Sequence, residues 1–135
     1  MRILNLTQHC ATPEQTAAGV VDLTTAQRAV VSQWFTFETP PSRPVIKTRA
    51  RLLAQAAADD SSMVGEVGPF DAAMIGGAPY LMGPLEDALL DLCIVPLYAF
   101  SKRESVETIG SDGSVTKTNV FRHGGFVGGL RSMGE

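Results

Sequence analysis

Three short polar segments of this sequence carry residue types that can bind a phosphate-bearing ligand or act on it. In Thr7-Gln8-His9, a neutral imidazole can donate a hydrogen bond to a ligand or act as a general base. In Gly76-Gly77-Ala78-Pro79-Tyr80, the glycines let a ligand approach the backbone closely, and the tyrosine ring can stack on a base. A helix that begins just beyond would add free N–H groups and a dipole that favours phosphate. In Ser101-Lys102-Arg103-Glu104, the guanidinium can bind phosphate oxygens in bidentate fashion.

Each segment also has a purely structural interpretation. Paired glycines are typical of a tight strand-to-helix turn, a histidine in a turn is often only hydrogen-bonded, and Arg103 can simply pair with Glu104. Tyr80 can cover the core instead of a ligand. Arg122-His123 adds a second cationic pair, which either folds over the site or lies on a charged strand edge that discourages aggregation.

Other familiar catalytic arrangements are absent from the sequence. His9 and His123 form no His-x-x-x-His pattern and Cys10 and Cys93 form no Cys-x-x-Cys pattern, so neither a metal site nor a cofactor is predicted. There is no Gly-x-Ser-x-Gly nucleophile motif. A phosphate site without a metal is therefore the chemistry that the residues favour.

The predicted elements bring the three polar segments together. Short apolar strands are predicted at 2–6, 72–75 and 94–100, and each is followed by one of the segments. Helical patterns separate these strands, so the sheet is predicted to be parallel with right-handed crossovers. The carboxyl ends of such strands share one edge, where open α/β sheets bind their ligands. This convergence is the main functional inference from the sequence.

Four helices are predicted from capping residues and apolar spacing. The first begins at Thr12 with Pro13 and Gln15 and ends near Gly19, and the second begins at Thr24 or Thr25. The apolar stripe of the second helix is predicted to be Ala26, Val30, Trp34 and Phe37, before Pro40 and Pro41. The fourth is predicted to start near Pro79 or, by preference, at Pro84, with the stripe Leu85, Ala88, Leu89 and Leu92.

The third helix separates an apolar face from a basic one. It is predicted to open at Ser42, Arg43 and Pro44, to bury Ile46, Ala50, Leu53 and Ala57, and to end in a loose connection from Asp59 to Pro69. Its other face carries Arg43, Lys47, Arg49 and Arg51. Such a charged face is usually solvated, and the alternative is a surface that binds an anion or a partner.

The pattern changes in the last third of the chain. Ser111-Asp112-Gly113-Ser114 between two β-type runs predicts a hairpin over residues 105–121, and the glycine-rich end, 124–135, is predicted to be loop or frayed edge. The predicted fold class is therefore a single-domain, Rossmann-like three-layer α/β sandwich with a mainly parallel sheet and a C-terminal antiparallel hairpin.

Composition narrows the class of protein further. The 135 residues, 14.4 kDa, suit one domain, and the net charge of -3 with a pI near 5.3 argues against bulk binding of nucleic acid. Two cysteines allow one disulfide at most, and no apolar run reaches the roughly 20 residues that cross a bilayer. The start of the chain lacks the pattern of a signal peptide. We therefore expect a cytoplasmic protein that does not associate with membranes.

Asn5-Leu6-Thr7-Gln8-His9 followed by Ala11-Thr12-Pro13-Glu14-Gln15 resembles the opening of small CRISPR-associated proteins of the CARF type, single-domain relatives that sense or degrade cyclic oligoadenylate. The resemblance implies a Rossmann-like fold and a homodimer with the ring-shaped ligand across its two-fold axis. It implies that Thr7, Gln8 and His9 line the ligand crevice, that Gly76, Gly77 and Ala78 approach a phosphodiester, and that Ser101 and Arg103 contact phosphates or a ribose hydroxyl.

The resemblance also implies a possible activity. Ring cleavage in such proteins needs no metal, because a 2′-hydroxyl is positioned for in-line attack and the charge on phosphorus is stabilised. In this chain His9 and Arg103 are the residues that would perform these tasks.

Three functions follow as hypotheses. The first is a Rossmann-like nucleotide-binding protein that is either a sensor of cyclic oligoadenylate in antiviral defence or a ring nuclease that cleaves it. The second is an enzyme acting on a mononucleotide or another small phosphorylated metabolite in the same crevice. The third is a non-catalytic module that binds a protein partner and no small ligand.

Overall fold

The computed structural model describes residues 1–58 and 70–129. Its strands are β1 (Ile3–Leu6), β2 (Val20–Val21), β3 (Ala72–Ile75), β4 (Val95–Ile109) and β5 (Val115–Gly128), and its helices are α1 (Pro13–Ala17), α2 (Thr25–Phe35), α3 (Arg43–Ala58) and α4 (Pro79–Asp91). In this described part of the chain the five strands form one sheet in the order β2-β1-β3-β4-β5. The predicted connection from Asp59 to Pro69 and residues 130–135 of the predicted glycine-rich end lie outside the described residues.

Strand pairing confirms a mixed α/β domain with a mainly parallel sheet. β1 pairs in parallel with β2 on one side and with β3 on the other, and β3 pairs in parallel with β4. β4 and β5 form the predicted antiparallel hairpin around Gly113, whose φ of 84° suits the turn. The carboxyl ends of β1 and β3 therefore lie side by side, as the sequence predicts.

The two faces of the sheet are covered differently. On one face, Leu4, Leu6, Ala73 and Ile75 pack against buried side chains of the three long helices, α2, α3 and α4. On the other face, the cluster around Ile3, Val20, Ala72, Met74 and Leu97 is covered by Ala11 and Phe126, and α1 buries no residue. The sheet is curled into a half-barrel.

Local sequence signals explain where the helices begin. Thr12 and Gln15 form a complete capping box at α1, and Thr24 and Gln27 form another at α2. α3 begins at Arg43 and buries Ala50, Leu53 and Ala57 as predicted. These starts are confirmed because capping is decided by neighbouring residues alone.

Helix faces and one boundary differ from the prediction. In α2 the buried residues are Val31 and Phe35, whereas the predicted Val30 is 49% exposed. Phe37 lies beyond the end of that helix. α4 begins at Pro79 and contains Pro84, so the preferred start at Pro84 is wrong. Pro79 suits the first helical position, whereas Pro84 is the sixth residue of α4 and removes the N–H that would otherwise donate to the carbonyl oxygen of Tyr80.

The strand structure also differs from the prediction at three points. β2 is not predicted by the sequence, because two residues are too few to show a period. β4 does not end at Phe100 but continues to Ile109, and the glycine-rich stretch up to Gly128 belongs to β5 instead of forming a loop. β3 pairs with β4 only as far as Leu97. Beyond that point the hairpin is a two-stranded ribbon, which we define as residues 100–125 and whose polar side chains lie on both faces.

Glycine is needed in β5 because the ribbon bends there. The pairing shifts between Ala99 and Ser101, and Gly125 has a φ of 112°. A Cβ at Gly124 would lie 2.7 Å from Cδ1 of Phe100, so that ring packs directly over the glycine. These are the marks of a β-bulge, which the glycines permit.

Candidate functional site

The carboxyl edge of the sheet contains a cleft of about 450 Å³ between the ends of β1, β3 and β4, which we call the edge cleft. It lies between β1 and β3, where the order of the strands reverses. The residues that line it are Thr7, Gln8, His9, Cys10, Thr12, Gln15, Met74, Ile75, Gly76, Gly77, Tyr98 and Ala99. None of these described lining residues is an acid, a lysine or an arginine.

The loop after β1 is held by the buried side chain of Asn5, which is 3% exposed. Its Nδ2 donates to the carbonyl oxygen of His9 at 2.7 Å and to Oδ1 of Asp22 at 2.8 Å. Its Oδ1 accepts from the backbone N–H of Thr7 at 3.0 Å and from Oγ1 of Thr7 at 2.7 Å. Both the donor and the acceptor group of the Asn5 amide therefore fix the conformation of residues 7–9.

Two charged residues outside the cleft fix the remainder of this loop. Asp22 accepts the backbone N–H of Ala11 on both carboxylate oxygens, at 3.1 and 3.3 Å. Arg28 of α2 donates to Sγ of Cys10 and, at 3.3 Å, to the carbonyl oxygen of Gln8. The side chains of Gln8 and His9 are exposed. The loop thus has a fixed backbone and presents free polar side chains to the cleft.

The opposite wall is the turn from β3 into α4. Gly77 has a φ of 148°, in the region that favours glycine, and Gly76 lies close enough to Thr7 that a Cβ there would be 3.8 Å from its Cγ2. Ala78 caps α4 without a side-chain hydrogen bond. The first N–H groups of α4 therefore have no side-chain cap, and they follow directly on the part of the turn that lines the cleft.

Tyr98 lines the floor of the cleft and is held by α4. Its hydroxyl donates to Oε2 of Glu86 at 2.8 Å. Burial raises the pKa of the Tyr98 phenol, and the hydrogen bond to Glu86 and its negative charge raise it further. Tyr98 is therefore a neutral hydrogen-bonding group over the whole physiological range.

A hydrogen bond joins β5 to α1. The backbone N–H of His123 donates to Oε2 of Glu14 at 3.1 Å, across 109 positions of the chain. The imidazole stacks edge-on against Phe126, with ring centroids 4.9 Å apart. Its Nδ1 is buried and has no hydrogen-bond partner among the residues that the structure describes. His123 thus joins the hairpin to α1 beside the cleft and does not line it.

The structure brings five of the predicted site residues together in the edge cleft: Thr7, Gln8, His9, Gly76 and Gly77. Ala78 lies at the start of α4, next to the cleft. Tyr80 instead packs against Phe37, with ring centroids 5.6 Å apart, in grooves on the helical side.

Ser101 and Arg103 do not line the cleft, because β4 has no turn at this point. Four residues of strand separate Arg103 from Ala99, which corresponds to about 13 Å between the two Cα atoms. Ser101 lies opposite His123 and Arg103 opposite Phe121 on the ribbon. The polar segment after Phe100 is thus part of an exposed strand and not a loop.

Sequence reasoning missed several residues of the site. Asn5 carries a visible signal, because it is the one polar residue in a strand of otherwise apolar side chains. Tyr98 and Ala99 belong to the apolar run that is predicted to be a strand, so nothing in the sequence marks them as site residues. Thr12 and Gln15 were explained as caps of α1, and they also face the cleft.

The described residues contain no group of three or more histidine, cysteine or acidic residues placed to hold a metal ion. Within the same residues, no helix is both long and apolar enough to cross a bilayer.

Comparison with protein families gives one match, which extends over nearly the whole chain. Residues 1–127 match the family described as "Uncharacterized protein MJ1673 family". No curated protein and no solved structure matches the chain. The matched region contains every residue of the edge cleft. The resemblance to CARF-type proteins is not tested by this match and stays a prediction.

Proposed function

The chain belongs to the Uncharacterized protein MJ1673 family, and from the geometry of the edge cleft we propose that it is a nucleotide-binding protein. The observation that carries the proposal is the position of the cleft at the strand-order reversal between β1 and β3. Open α/β sheets bind nucleotides at this point because the loops on either side of it diverge and leave a crevice.

The turn from β3 into α4 suits a phosphate group. Gly76 and Gly77 let an anion approach the backbone, and the N-terminus of α4 supplies uncapped N–H groups and the positive end of its dipole. Gln8, His9, Thr12 and Gln15 supply hydrogen-bond donors and acceptors for a sugar or a base. Because no described charged residue lines the cleft, its composition favours a single phosphate over a polyphosphate.

For the architecture, we propose a reduced form of the Rossmann-like three-layer sandwich. The strand order supports it, with α2, α3 and α4 as one helical layer. The second layer of helices is reduced to α1, which has five residues and buries none. A cytoplasmic location also stays a prediction, consistent with Cys10 and Cys93 both being free thiols.

Cyclic oligoadenylate is a second candidate ligand, and one observation favours it. The ribbon exposes large apolar side chains, with Phe121 72% and Phe100 51% exposed, and such side chains often mark a contact between protein chains. A homodimer formed through the ribbon would present two edge clefts to one ring. Metal-independent cleavage by His9 and Arg103 is proposed only for that dimer, with Arg103 supplied by the partner copy. A monomer that leaves cyclic tetra-adenylate intact would contradict it.

Calorimetric titration with AMP tests the main proposal. AMP and ribose 5-phosphate should both bind. Gln8→Ala and His9→Ala should each weaken AMP binding by about 2- to 10-fold, since a lost hydrogen bond is worth about 0.5–1.5 kcal/mol. Gln33→Ala, a change of the same residue type on the exposed side of α2, should leave the affinity unchanged.

Other outcomes of this titration identify the alternatives. If phosphate or ribose 5-phosphate binds and AMP does not, the result would favour an enzyme that acts on a small phosphorylated metabolite. If none of the three binds, the nucleotide proposal fails and a module that binds a protein partner gains support.

A further inference from the structure

A second groove opens on the other side of the start of α4, and its walls have the chemistry that the edge cleft lacks. This groove has a volume of about 360 Å³ and is lined by Arg43, Ile46, Lys47, Tyr80 and Pro84. We call it the Tyr80 groove. It combines two cations with an aromatic ring that is 48% exposed. Neither cation has an ion pair or hydrogen bond with any described residue.

The aromatic wall is held in place before any ligand binds. Tyr80 packs against Phe37 at 5.6 Å between ring centroids, and the guanidinium of Arg49 lies 4.4 Å from the centroid of Phe37 on that ring's face. Arg49 is in turn fixed by donating to the carbonyl oxygens of Gln33, at 2.9 Å, and Thr36. An ordered and half-exposed aromatic ring is what base stacking requires, and every base has a face that can stack on it.

The two cations are placed for a phosphate beside that ring. Arg43 and Lys47 are one helical turn apart on α3, so their side chains lie on the same face of the helix. Arginine and lysine both form charge-assisted hydrogen bonds with phosphate oxygens. Three acids line the adjoining grooves. Glu38 lines the one that shares Ile46 and Tyr80, and Asp87 and Asp91 line the one that shares Lys47 and Pro84.

The Tyr80 groove and the edge cleft are joined by a short piece of backbone. Gly77 lines the cleft and Tyr80 lines the groove, and three residues of chain span at most about 11 Å. Successive nucleotides of a strand can bridge that separation. Because Gly76 and Gly77 have no side chains, nothing projects from this turn between the cleft and the groove.

We propose that the Tyr80 groove binds a second nucleotide unit, with its base on Tyr80 and its phosphate between Arg43 and Lys47, so that the ligand is at least a dinucleotide lying across the Gly76–Gly77 turn. This inference rests on the proposed function of the edge cleft. The inference assigns part of the basic face of α3 to ligand binding. The sequence alone allows either a solvated face or a binding surface there.

The test compares AMP with the linear dinucleotide pApA by calorimetric titration of the full chain. Because the second unit binds within the same complex, pApA should bind at least about tenfold more tightly than AMP. Tyr80→Ala and the double variant Arg43→Ala/Lys47→Ala should each weaken pApA binding at least about fivefold, toward the affinity of AMP. Both variants should bind AMP as the wild type does, and all of these positions are exposed, so folding should be retained.

Two variants serve as controls. Tyr80→Phe keeps the stacking ring and should retain the affinity for pApA. Arg51→Ala removes the cation one helical turn beyond Lys47, which lines the neighbouring groove and not the Tyr80 groove, and should change neither affinity.

The failure of this inference can be distinguished from failure of the proposed function. If AMP binds but pApA binds no more tightly, or if the variants leave the affinity for pApA unchanged, the Tyr80 groove does not hold a nucleotide and the edge cleft still does. If Tyr80→Ala weakens AMP as much as pApA, the first nucleotide occupies the groove and the inference is wrong. If neither ligand binds, both proposals fail. Concentration-dependent dimerisation that Tyr80→Ala abolishes would assign the groove to a second copy of the chain instead.

Discussion

At the scale of single residues, Asn5 connects the core of the protein to the edge cleft. It is the one buried polar side chain among the residues that the structure describes, and its amide makes four hydrogen bonds. Three of its partner atoms belong to the loop that carries Gln8 and His9. A buried amide with all its groups satisfied fixes one geometry, since any other leaves a polar atom unpaired.

Asn5→Ala should lower the free energy of unfolding by about 2–3 kcal/mol, because it removes four hydrogen bonds and leaves the part-buried backbone N–H of Thr7 without its acceptor. The midpoint of urea unfolding measures this loss. Asn119→Ala, at an exposed position of the ribbon, should change stability by less than about 0.5 kcal/mol. Equal effects of the two substitutions would show that the Asn5 network contributes nothing specific.

Tyr98 predicts a dependence of stability on alkaline pH. Its pKa is raised in the folded chain by burial and by Glu86, so the folded state keeps a proton that the unfolded state loses above about pH 10. The resulting stability is fully present below that pH and is lost as the pH rises beyond it. Urea midpoints at pH 8 and pH 10.5 should therefore fall further for the wild type than for Tyr98→Phe. Parallel declines would contradict the assignment.

How far residues can be predicted depends on what each one contacts. Thr12 and Gln15 are predictable as a capping box because their partners are three positions away. The partnership of Tyr98 with Glu86 depends on how α4 settles on the sheet, which no local spacing encodes. The same limit explains why Gln8 and His9 are identified by sequence as polar turn residues whereas Asn5, which orients their loop, is not.

At the scale of elements, glycine decides the course of β5. Gly125 has open space around its Cα but a φ of 112°, so the cost of a side chain there is conformational and not steric. Gly83, by contrast, lies within α4 with nothing within 4 Å of a Cβ. The two positions form a matched pair, because only the backbone conformation differs.

Gly125→Ala should destabilise the chain by about 1–2 kcal/mol, the cost of placing an L-residue in this region. Gly83→Ala should instead stabilise it by up to about 1 kcal/mol, because alanine is the better helix former. Thermal unfolding of both variants measures the difference. A stable Gly125→Ala variant would indicate that the bulge is not part of the native hairpin.

Elements that have their own start signals are predictable, and those defined by a partner strand are not. β1, β3 and the starts of α1, α2 and α3 follow from apolar runs and capping residues. The extension of β4 to Ile109 depends on pairing with β5, and its mixed polar sequence reads as loop until that pairing is known. Because the sequence predicts a loop after Phe100, it places Ser101 and Arg103 in the site. In the structure both residues lie farther along β4, outside the edge cleft.

At the scale of the molecule, the order of strands places the edge cleft. β1 and β3 end next to each other because the chain passes first to β2 on one side and then back across β1. Residues 7–10 and 76–77, which are far apart in sequence, thereby form two walls of one cleft. The ribbon continues past this edge, and beyond its contact with α1 at His123 most of its residues are exposed.

The central claim is that a nucleotide binds in the edge cleft, and the most direct test is to locate it by backbone-amide NMR during titration with AMP. The account predicts saturable shift changes concentrated at Thr7–Cys10 and at Gly76–Ala78, with the tip of the ribbon around Gly113 unaffected. Changes confined to the ribbon or to the groove between Arg51 and Asp91, or a spectrum that AMP leaves unaltered at saturating concentration, would contradict it.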